Sequence, residues 1–184
     1  IGSMDEYLEK YNRSIEEPEE FWSEMAQNFH WFKSWKEVRS YNYDMDRSPV
    51  YVKWFAGAKT NVCYNCVDRH LEVRPDKTAI IWEGNEPGED STISFRNLHI
   101  QVCKFANVLK NRGVKKGDRV SIYMPMVMEA TIAMLSCARI GAVHSVVFGG
   151  FSAEALADRI VDSNCKTLIT ANGTFRGPKA IPMK

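Results

Sequence analysis

The sequence contains no long uninterrupted apolar segment. Its most apolar region, residues 120–151, is divided by Glu129 and Arg139, whereas a membrane-spanning helix needs about 20 consecutive apolar residues. The N-terminus is acidic and lacks both the apolar core of a secretory signal and the Arg-rich character of a transit peptide. We therefore expect a cytoplasmic protein without a membrane partner.

Other features that are absent exclude further classes of protein. The 24 Lys and Arg nearly balance the 23 Asp and Glu, for a net charge of +1, so bulk attraction to nucleic acid is not expected. The basic residues are also not interleaved with aromatic ones, as they are in a single-strand binding groove. Neither a G-x-G-x-x-G nor a G-x-x-x-x-G-K-[ST] segment is present, which disfavours a dehydrogenase dinucleotide site and a P-loop.

The five cysteines are few, scattered and odd in number, which indicates free thiols in a reducing compartment. Cys63 and Cys66 have the spacing of metal ligands, and His70 follows on the same predicted helix face. Zinc needs four well-placed ligands and no second C-x-x-C is present, so we expect buried helical thiols and no metal site. Charged residues of that helix are expected to pair on its surface: Asp68, Arg69 and Glu72.

The two halves of the chain differ in charge and in aromatic content. Residues 1–90 hold 11 basic and 18 acidic side chains, residues 91–184 hold 13 basic and 5 acidic, and four of the five Trp lie before residue 55. Pro18 at a first-turn position begins a predicted amphipathic helix with an aromatic face. The segment 31–49 is irregular, so we expect this aromatic surface to pack across a larger body; a small independent aromatic module is the alternative.

The rest of the chain alternates between strands and helices. A helix capped by Ser94 and ended by Gly113 is predicted, and the turn 84–88 predicts a local antiparallel pair. Strands separated by helices of about 10–15 residues indicate βαβ units and a mostly parallel sheet, so the fold class is α/β. The predicted strands are Thr78–Glu83, Arg119–Met124, Ala142–Phe148 and Lys166–Ala171, and the helices between the last three are Glu129–Arg139 and Ala153–Ser163.

Three loops follow parallel strands and are expected at one sheet edge, where open α/β sheets bind ligands. They begin at Pro125-Met126, Gly149-Gly150 and Asn172-Gly173. The second follows a strand predicted to be buried and precedes Ser152, a good N-cap. The third brings two cations, and together these features indicate a phosphate-bearing ligand; turn chemistry and a solvated basic loop are the alternative explanation. The cations are Arg176 and Lys179.

Several long segments carry a family resemblance. The runs KWFAGAKTNVCYNCVDRHLE (53–72), TAIIWEGNEPGE (78–89), VCKFANVLKNRGVKKGDRVSIYMPM (102–126) and SCARIGAVHSVVFGGFSAEALADRI (136–160) resemble the AMP-forming acetyl-CoA synthetases, which are adenylate-forming enzymes. YNRSIEEPEEFW (11–22) resembles their helical extension. The departures are Met128 where Pro is usual, Ala56 and Ala58 in a commonly Gly-rich loop, and Pro178 inside an RGxK-like segment.

The resemblance implies the first part of the large N-terminal domain of these enzymes. It also implies a reaction in which acetate attacks Mg-ATP to give acetyl-adenylate and pyrophosphate, after which the CoA thiol displaces AMP. The residues that match the CoA-contacting motifs are Phe148, Gly149, Gly150, Arg176 and Lys179. The ATP site, the Mg²⁺ ligands and the catalytic lysine of the family have no counterparts in this sequence, so no catalytic or metal-ligating residue is assigned.

The resemblance also sets expectations for organisation. Residues 1–4 are interpreted as a cloning scar with a start Met, residues 5–60 as a helical and aromatic extension, and residues 61–184 as a truncated first part of the AMP-binding domain. We expect this chain alone to be inactive and to self-associate through uncovered sheet edges. The alternatives are a synthetase for propionate or another short-chain acid, and a non-catalytic CoA-binding, nucleotide-binding or interaction module.

Overall fold

The computed structural model describes residues 1–177 and 179–183, and of Arg176 it describes the backbone alone. Pro178, the departure inside the RGxK-like segment, therefore lies outside the described residues. The chain divides into two compact units, Ile1–Thr60 and Asn61–Lys184. Within the described ranges, no helix has both the length and the apolar character needed to cross a membrane.

The first unit combines two helices with a β-hairpin. Helix α1 spans Met4–Glu16 and is capped by Ser3, whose hydroxyl accepts a hydrogen bond from the backbone N–H of Glu6. Helix α2 spans Pro18–Ala26 and begins with the proline, as predicted. Strands β1 (Glu37–Asn42) and β2 (Tyr51–Ala56) pair antiparallel.

Strand β1 corrects the expectation that residues 31–49 are irregular. Its pairing with β2 places Arg39 opposite Trp54, and the Arg39 guanidinium carbon lies 5.8 Å from the Trp54 ring centroid. Cross-strand aromatic and cation–aromatic contacts of this kind stabilise a hairpin. They were missed because polar residues interrupt the alternation that normally identifies a strand.

The second unit has the predicted α/β organisation. Strands β3 and β4 form an antiparallel pair with Ile81 opposite Thr92, and Ser94 caps the next helix by accepting from the N–H of Asn97. Strand β5 pairs parallel with both β6 and β7, in the order β6-β5-β7. The elements are α3 (Val62–Cys66), a 3₁₀ turn (Asp68–His70), β3 (Thr78–Glu83), β4 (Asp90–Ser94), α4 (Phe95–Asn111), β5 (Arg119–Met124), α5 (Met128–Ile140), β6 (Val143–Phe148), α6 (Ala153–Asp162), β7 (Thr167–Thr170), β8 (Gly173–Arg176) and β9 (Lys179–Pro182).

The two faces of β5 contact different helices. Val120 packs in one cluster with Leu109 of α4 and Cys137 of α5. Two residues on the opposite face of the strand contact the ends of the α6 segment, since alternate side chains point to opposite faces. The Nε of Arg119 donates to the carbonyl of Ser163 at 3.0 Å, and the hydroxyl of Tyr123 approaches the carbonyl of Phe151 at 2.9 Å. Strand β5 is therefore the central, covered strand of the described sheet.

Strand β6 is not the buried strand that its apolar sequence predicted. Val147 is 2% exposed, but Val146 is 56% exposed and Phe148 is 65% exposed. In the described sheet β6 lies at the edge beside β5, and Val146 and Phe148 point to the face opposite the one that buries Val147. An apolar composition alone therefore did not determine burial. Apolar side chains that remain exposed at a sheet edge favour association.

The C-x-x-C segment also differs from the prediction. Helix α3 ends at Cys66, and His70 lies in a separate 3₁₀ turn, so the three side chains do not share one helix face. Cys63 is fully buried as expected, whereas Cys66 is exposed. The short helix breaks at Val67, whose φ of −126° and ψ of −65° are not helical.

Burial of Cys63 predicts a loss of stability at alkaline pH. Burial raises the pKa of this thiol from its ordinary 9.0 to about 11. Between those values the unfolded chain releases the proton and the folded chain keeps it, so the stabilisation is complete below pH 9 and is lost as the pH rises through 11. We expect this thiol to contribute about 3 kcal/mol to the fall in the free energy of unfolding over this range. Buried Cys137, whose pKa is also raised to about 11, contributes separately, so Cys63→Ala should remove only its own part of the slope. Urea titrations at a series of pH values measure it; an equal slope in the variant contradicts the prediction.

Candidate functional site

The carboxyl ends of the three parallel strands lie at one edge of the sheet. Met124 at the end of β5 is in register with Phe148 at the end of β6, and Tyr123 is in register with Thr170 at the end of β7. The parallel orientation confirms that the three loops predicted from the sequence follow the same edge. This is the edge where open α/β sheets bind ligands.

The loop after β6 is a tight glycine turn, residues 148–151. The N–H of Phe151 donates to the carbonyl of Phe148 at 3.0 Å, and the two glycines occupy the centre of the turn. Ser152 then caps α6 by accepting from the N–H of Ala155 at 3.3 Å, as predicted. The backbone of this turn is thus held between the end of a strand and the first turn of a helix.

Space, and not an unusual φ angle, requires glycine in this turn. A Cβ on Gly150 would lie 2.5 Å from a ring carbon of Phe148, and a Cβ on Gly149 would lie 3.2 Å from the carbonyl oxygen of Met124. Neither glycine has a positive φ. The sequence predicts close approach of a ligand to this backbone; the neighbours that the structure shows there are the Phe148 ring and the Met124 carbonyl.

Aromatic rings support the exposed side of the turn. Phe148 and Phe151 meet edge to face, with ring centroids 5.7 Å apart. Arg159 lies on α6. Its guanidinium carbon is 4.5 Å from the Phe151 ring centroid, close enough for a cation–π contact. The Phe148 ring is therefore exposed to solvent and is contacted on one side by Phe151. This arrangement suits stacking on a planar group of a ligand.

The third loop continues into a hairpin, whose two short strands the sequence analysis did not predict. Strands β8 and β9 pair antiparallel, with Arg176 directly opposite Lys179 at the tip. Lys179 is exposed, whereas the side chain of Arg176 lies outside the described part of the chain. The short strands escaped prediction because four residues are too few to show a periodic pattern. The register brings the backbone positions of two cationic residues together, which favours binding of a multiply charged anion.

The base of this hairpin lies beside the glycine turn. A Cβ on Gly149 would lie 3.3 Å from Cε of Met183, and the N–H of Met183 donates to the carbonyl of Asn172 at 3.2 Å. Since a strand rises about 3.3 Å per residue, the tip is about 10 Å from the base. The backbone positions of the five predicted residues therefore extend from the glycine turn along the hairpin to its tip, an elongated region in which the two cationic positions lie about 10 Å from the hairpin base.

A cavity of about 880 Å³ is lined in part by the same hairpin. The indole N–H of Trp82 donates to the carbonyl of Met126 at 2.7 Å across this region. Two of its three wall segments follow strands at the edge that the sequence indicated, the loop after Met124 and the hairpin that begins at Gly173, whereas the contribution of residues 82–89 gave no signal in the sequence. The lining residues are Trp82, Glu83, Gly84, Asn85, Glu86, Glu89, Pro125, Met126, Val127, Gly173, Thr174, Phe175 and Gly177.

A metal site is not formed by the residues that the structure describes. These residues contain no group of three His, Cys, Asp or Glu that could hold an ion. The Nδ1 of His70 instead lies 3.1 Å from Nη2 of Arg74, and burial, followed by the charges of Arg74 and Arg69, lowers the pKa of His70. No Mg²⁺ ligand is therefore assigned to the described residues, and no step through that ion is derived from them.

Comparison with known families identifies the class of protein. The family model described as AMP-binding enzyme matches residues 67–183, and the model described as acetyl-coenzyme A synthetase N-terminus matches residues 7–66. The chain belongs to the AMP-binding enzyme family. This result confirms the resemblance that the sequence segments showed.

Individual relatives carry a more specific name. The chain is 57% identical over 181 residues to an acetyl-coenzyme A synthetase of Magnetococcus marinus, and 56% identical over 181 residues to that of Saccharophagus degradans. It is 52% identical over 180 residues to acetyl-coenzyme A synthetase 2 of Pseudomonas putida. These matches cover 98% of this chain but only 27–28% of each relative, so the chain spans little more than a quarter of their length.

Proposed function

We propose that this chain forms the N-terminal part of an AMP-forming acetate–CoA ligase. In that reaction the acetate carboxylate attacks the α-phosphate of ATP, pyrophosphate leaves, and the CoA thiol then attacks the acetyl-adenylate and releases AMP. Identity of 52–57% over nearly the whole chain to proteins named acetyl-coenzyme A synthetase is the observation that supports it. The five free thiols support a reducing, cytoplasmic location.

Within that function, this chain would supply part of the CoA site. The proposed CoA-binding residues are Phe148, Gly149, Gly150, Arg176 and Lys179. An elongated ligand with an aromatic base and several phosphates matches a region that has an exposed ring at a glycine turn and two cationic positions at the tip of the adjoining hairpin, about 10 Å from its base. ATP is proposed to bind mainly through residues in the part of the longer relatives that this chain does not span, together with Mg²⁺.

The proposal predicts a complete reaction in the full-length protein and none in the 184-residue chain. Transition-state stabilisation for adenylyl transfer needs groups aimed at the α-phosphate, and none is assigned here. Formation of acetyl-CoA from acetate, ATP and CoA, measured by chromatography with propionate and butyrate as competing acids, tests it. Preference for a longer acid would change the assigned substrate. Turnover by the purified 184-residue chain would contradict the proposal that adenylyl transfer needs groups outside this chain.

The same experiment distinguishes the non-catalytic alternative. A full-length protein that binds CoA but gives no acyl-CoA with any of the three acids would be a binding module. Self-association of the isolated chain is also proposed; the exposed Val146 and Phe148 at the sheet edge support it.

A further inference from the structure

The hydroxyl of Tyr123 lies behind the glycine turn. Its oxygen is 2.9 Å from the carbonyl oxygen of Phe151 and 3.2 Å from that of Gly149, and the residue is 9% exposed. A phenol has one proton to donate, so the shorter contact to Phe151 is the stronger one and the carbonyl of Gly149 shares the same donor. One side chain from the central strand thus holds two successive parts of the turn.

We propose that Tyr123 is a positioning residue for CoA, a role that rests on the proposed function of this chain. Tyr123 does not line the outer side of the turn where a ligand would approach. It acts through the backbone of residues 149–152 and fixes the direction in which the N–H groups of that backbone point.

The planarity of the peptide group explains how this works. In a trans peptide the C=O and the following N–H point in opposite directions, and the chain has no cis peptide bond among the described residues. When the carbonyls of Gly149 and Phe151 point to the Tyr123 hydroxyl, the N–H groups of Gly150 and Ser152 point away from it. Tyr123 therefore directs two backbone donors toward the outer side of the turn.

Conformational freedom makes this restraint important. Glycine has access to more backbone conformations than any other residue, so a Gly-Gly turn without a fixed carbonyl would sample several orientations of its N–H groups. Ordering them on binding would cost free energy, and an arrangement that is fixed beforehand avoids that cost. The restraint is expected to affect CoA, which would contact the turn, and not the formation of the adenylate from acetate and ATP.

Tyr123→Phe in the full-length enzyme tests the proposal, because it removes the hydroxyl and keeps the ring. We expect the KM for CoA to rise about three- to tenfold, as for the loss of one hydrogen bond. Acetate-dependent exchange of pyrophosphate into ATP, measured without CoA, should stay at the wild-type rate. A general loss of folded enzyme would lower both rates and leave KM unchanged, so the two effects are separable.

Ser121→Ala is the matched control. Ser121 lies two residues earlier on the same face of β5 and is 1% exposed, and its hydroxyl has no hydrogen-bond partner among the described residues. Removing it deletes a buried hydroxyl of the same strand without freeing a carbonyl of the turn, so the KM for CoA should not change.

The outcomes separate this proposal from the function on which it rests. A wild-type enzyme that catalyses neither exchange nor acetyl-CoA synthesis overturns the proposed function, and the role of Tyr123 with it. An active wild type in which Tyr123→Phe leaves the KM for CoA unchanged, or lowers exchange as much as synthesis, overturns the positioning role alone. A rise in KM that Ser121→Ala shows equally also overturns it.

Discussion

Arg176→Ala in the full-length enzyme is expected to raise the KM for CoA roughly ten- to a hundredfold and to leave the first half-reaction intact. Arg176 is proposed to meet a phosphate of CoA, and a hydrogen bond to a charged group contributes about 1.5–3 kcal/mol, which converts to that factor. Adenylate formation does not involve CoA. The measurements are pyrophosphate exchange without CoA and acetyl-CoA synthesis with CoA varied.

Arg47→Ala is the control for the loss of a cation. Its side chain is 82% exposed and pairs only with Asp44, three residues earlier, among the ion pairs of the described residues, so its removal should leave the KM for CoA unchanged. Should Arg176→Ala abolish exchange while the dependence on CoA stays as in the wild type, the placement of CoA at this edge is wrong.

Gly149→Val at the other end of the same region is expected to behave differently. The added Cβ would lie 3.2 Å from the carbonyl oxygen of Met124 and 3.3 Å from Cε of Met183, and the two further methyl groups increase the crowding. The turn must shift, so both CoA binding and the amount of folded enzyme should decrease. This contrast with Arg176→Ala separates loss of a ligand contact from displacement of the backbone.

Arg139→Met is expected to destabilise the second unit by about 3 kcal/mol. The Nη2 of Arg139 donates to Oδ2 of Asp68 at 2.5 Å, and the Nε2 of His99 lies 3.4 Å from Oδ1. The Arg139 and Asp68 side chains are only 24% and 17% exposed. Removing one partner leaves a poorly hydrated carboxylate, for which losses of about 3–5 kcal/mol are typical. The low end applies because the Nε of Arg139 is itself buried without a partner among the described residues.

Arg96→Met is the matched control for that variant. Arg96 also pairs with an aspartate, Asp76, at 3.0 Å, but the two side chains are 56% and 78% exposed. Exposed pairs contribute little, so this change should shift the urea unfolding curve, followed by circular dichroism, far less than Arg139→Met does. Equal shifts would show that the Asp68 pair has no special role in stability.

The Asp68 contact also shows why surface pairing along one helix was the wrong prediction for that residue. Residues three and four apart are neighbours on a helix surface; by this rule Arg69 and Glu72 are neighbours, and Asp68 stands next to Arg69 in the sequence. The actual partner of Asp68 is 71 residues away on α5. A local rule cannot identify a partner that only the packing of α3 against α5 brings near, and burial makes that distant pair the stronger one.

At the site, strand β6 and the glycine turn show again that local sequence rules do not identify contacts between distant segments. The apolar composition of β6 predicted burial, but Val146 and Phe148 point to the face of the sheet opposite Val147, and composition does not reveal what covers each face. The two glycines predicted a close approach of backbone, but the approaching groups, the Phe148 ring and the Met124 carbonyl, were not visible. The Tyr123 contact to that turn was missed because nothing in a strand sequence marks which carbonyl its hydroxyl will reach.

The sequence by itself determined the alternation from β5 to β7, the caps at Ser94 and Ser152, the turn between β3 and β4, and membership of the family. Each of these depends on residues close together in the chain, whose hydrophobic period, capping oxygen or turn chemistry acts locally. The tertiary structure decided which strands are covered, which charges meet, and how the glycine turn and the β8–β9 hairpin are arranged into one elongated region. Those outcomes depend on contacts between distant segments, whose geometry is fixed only when the helices pack on the sheet.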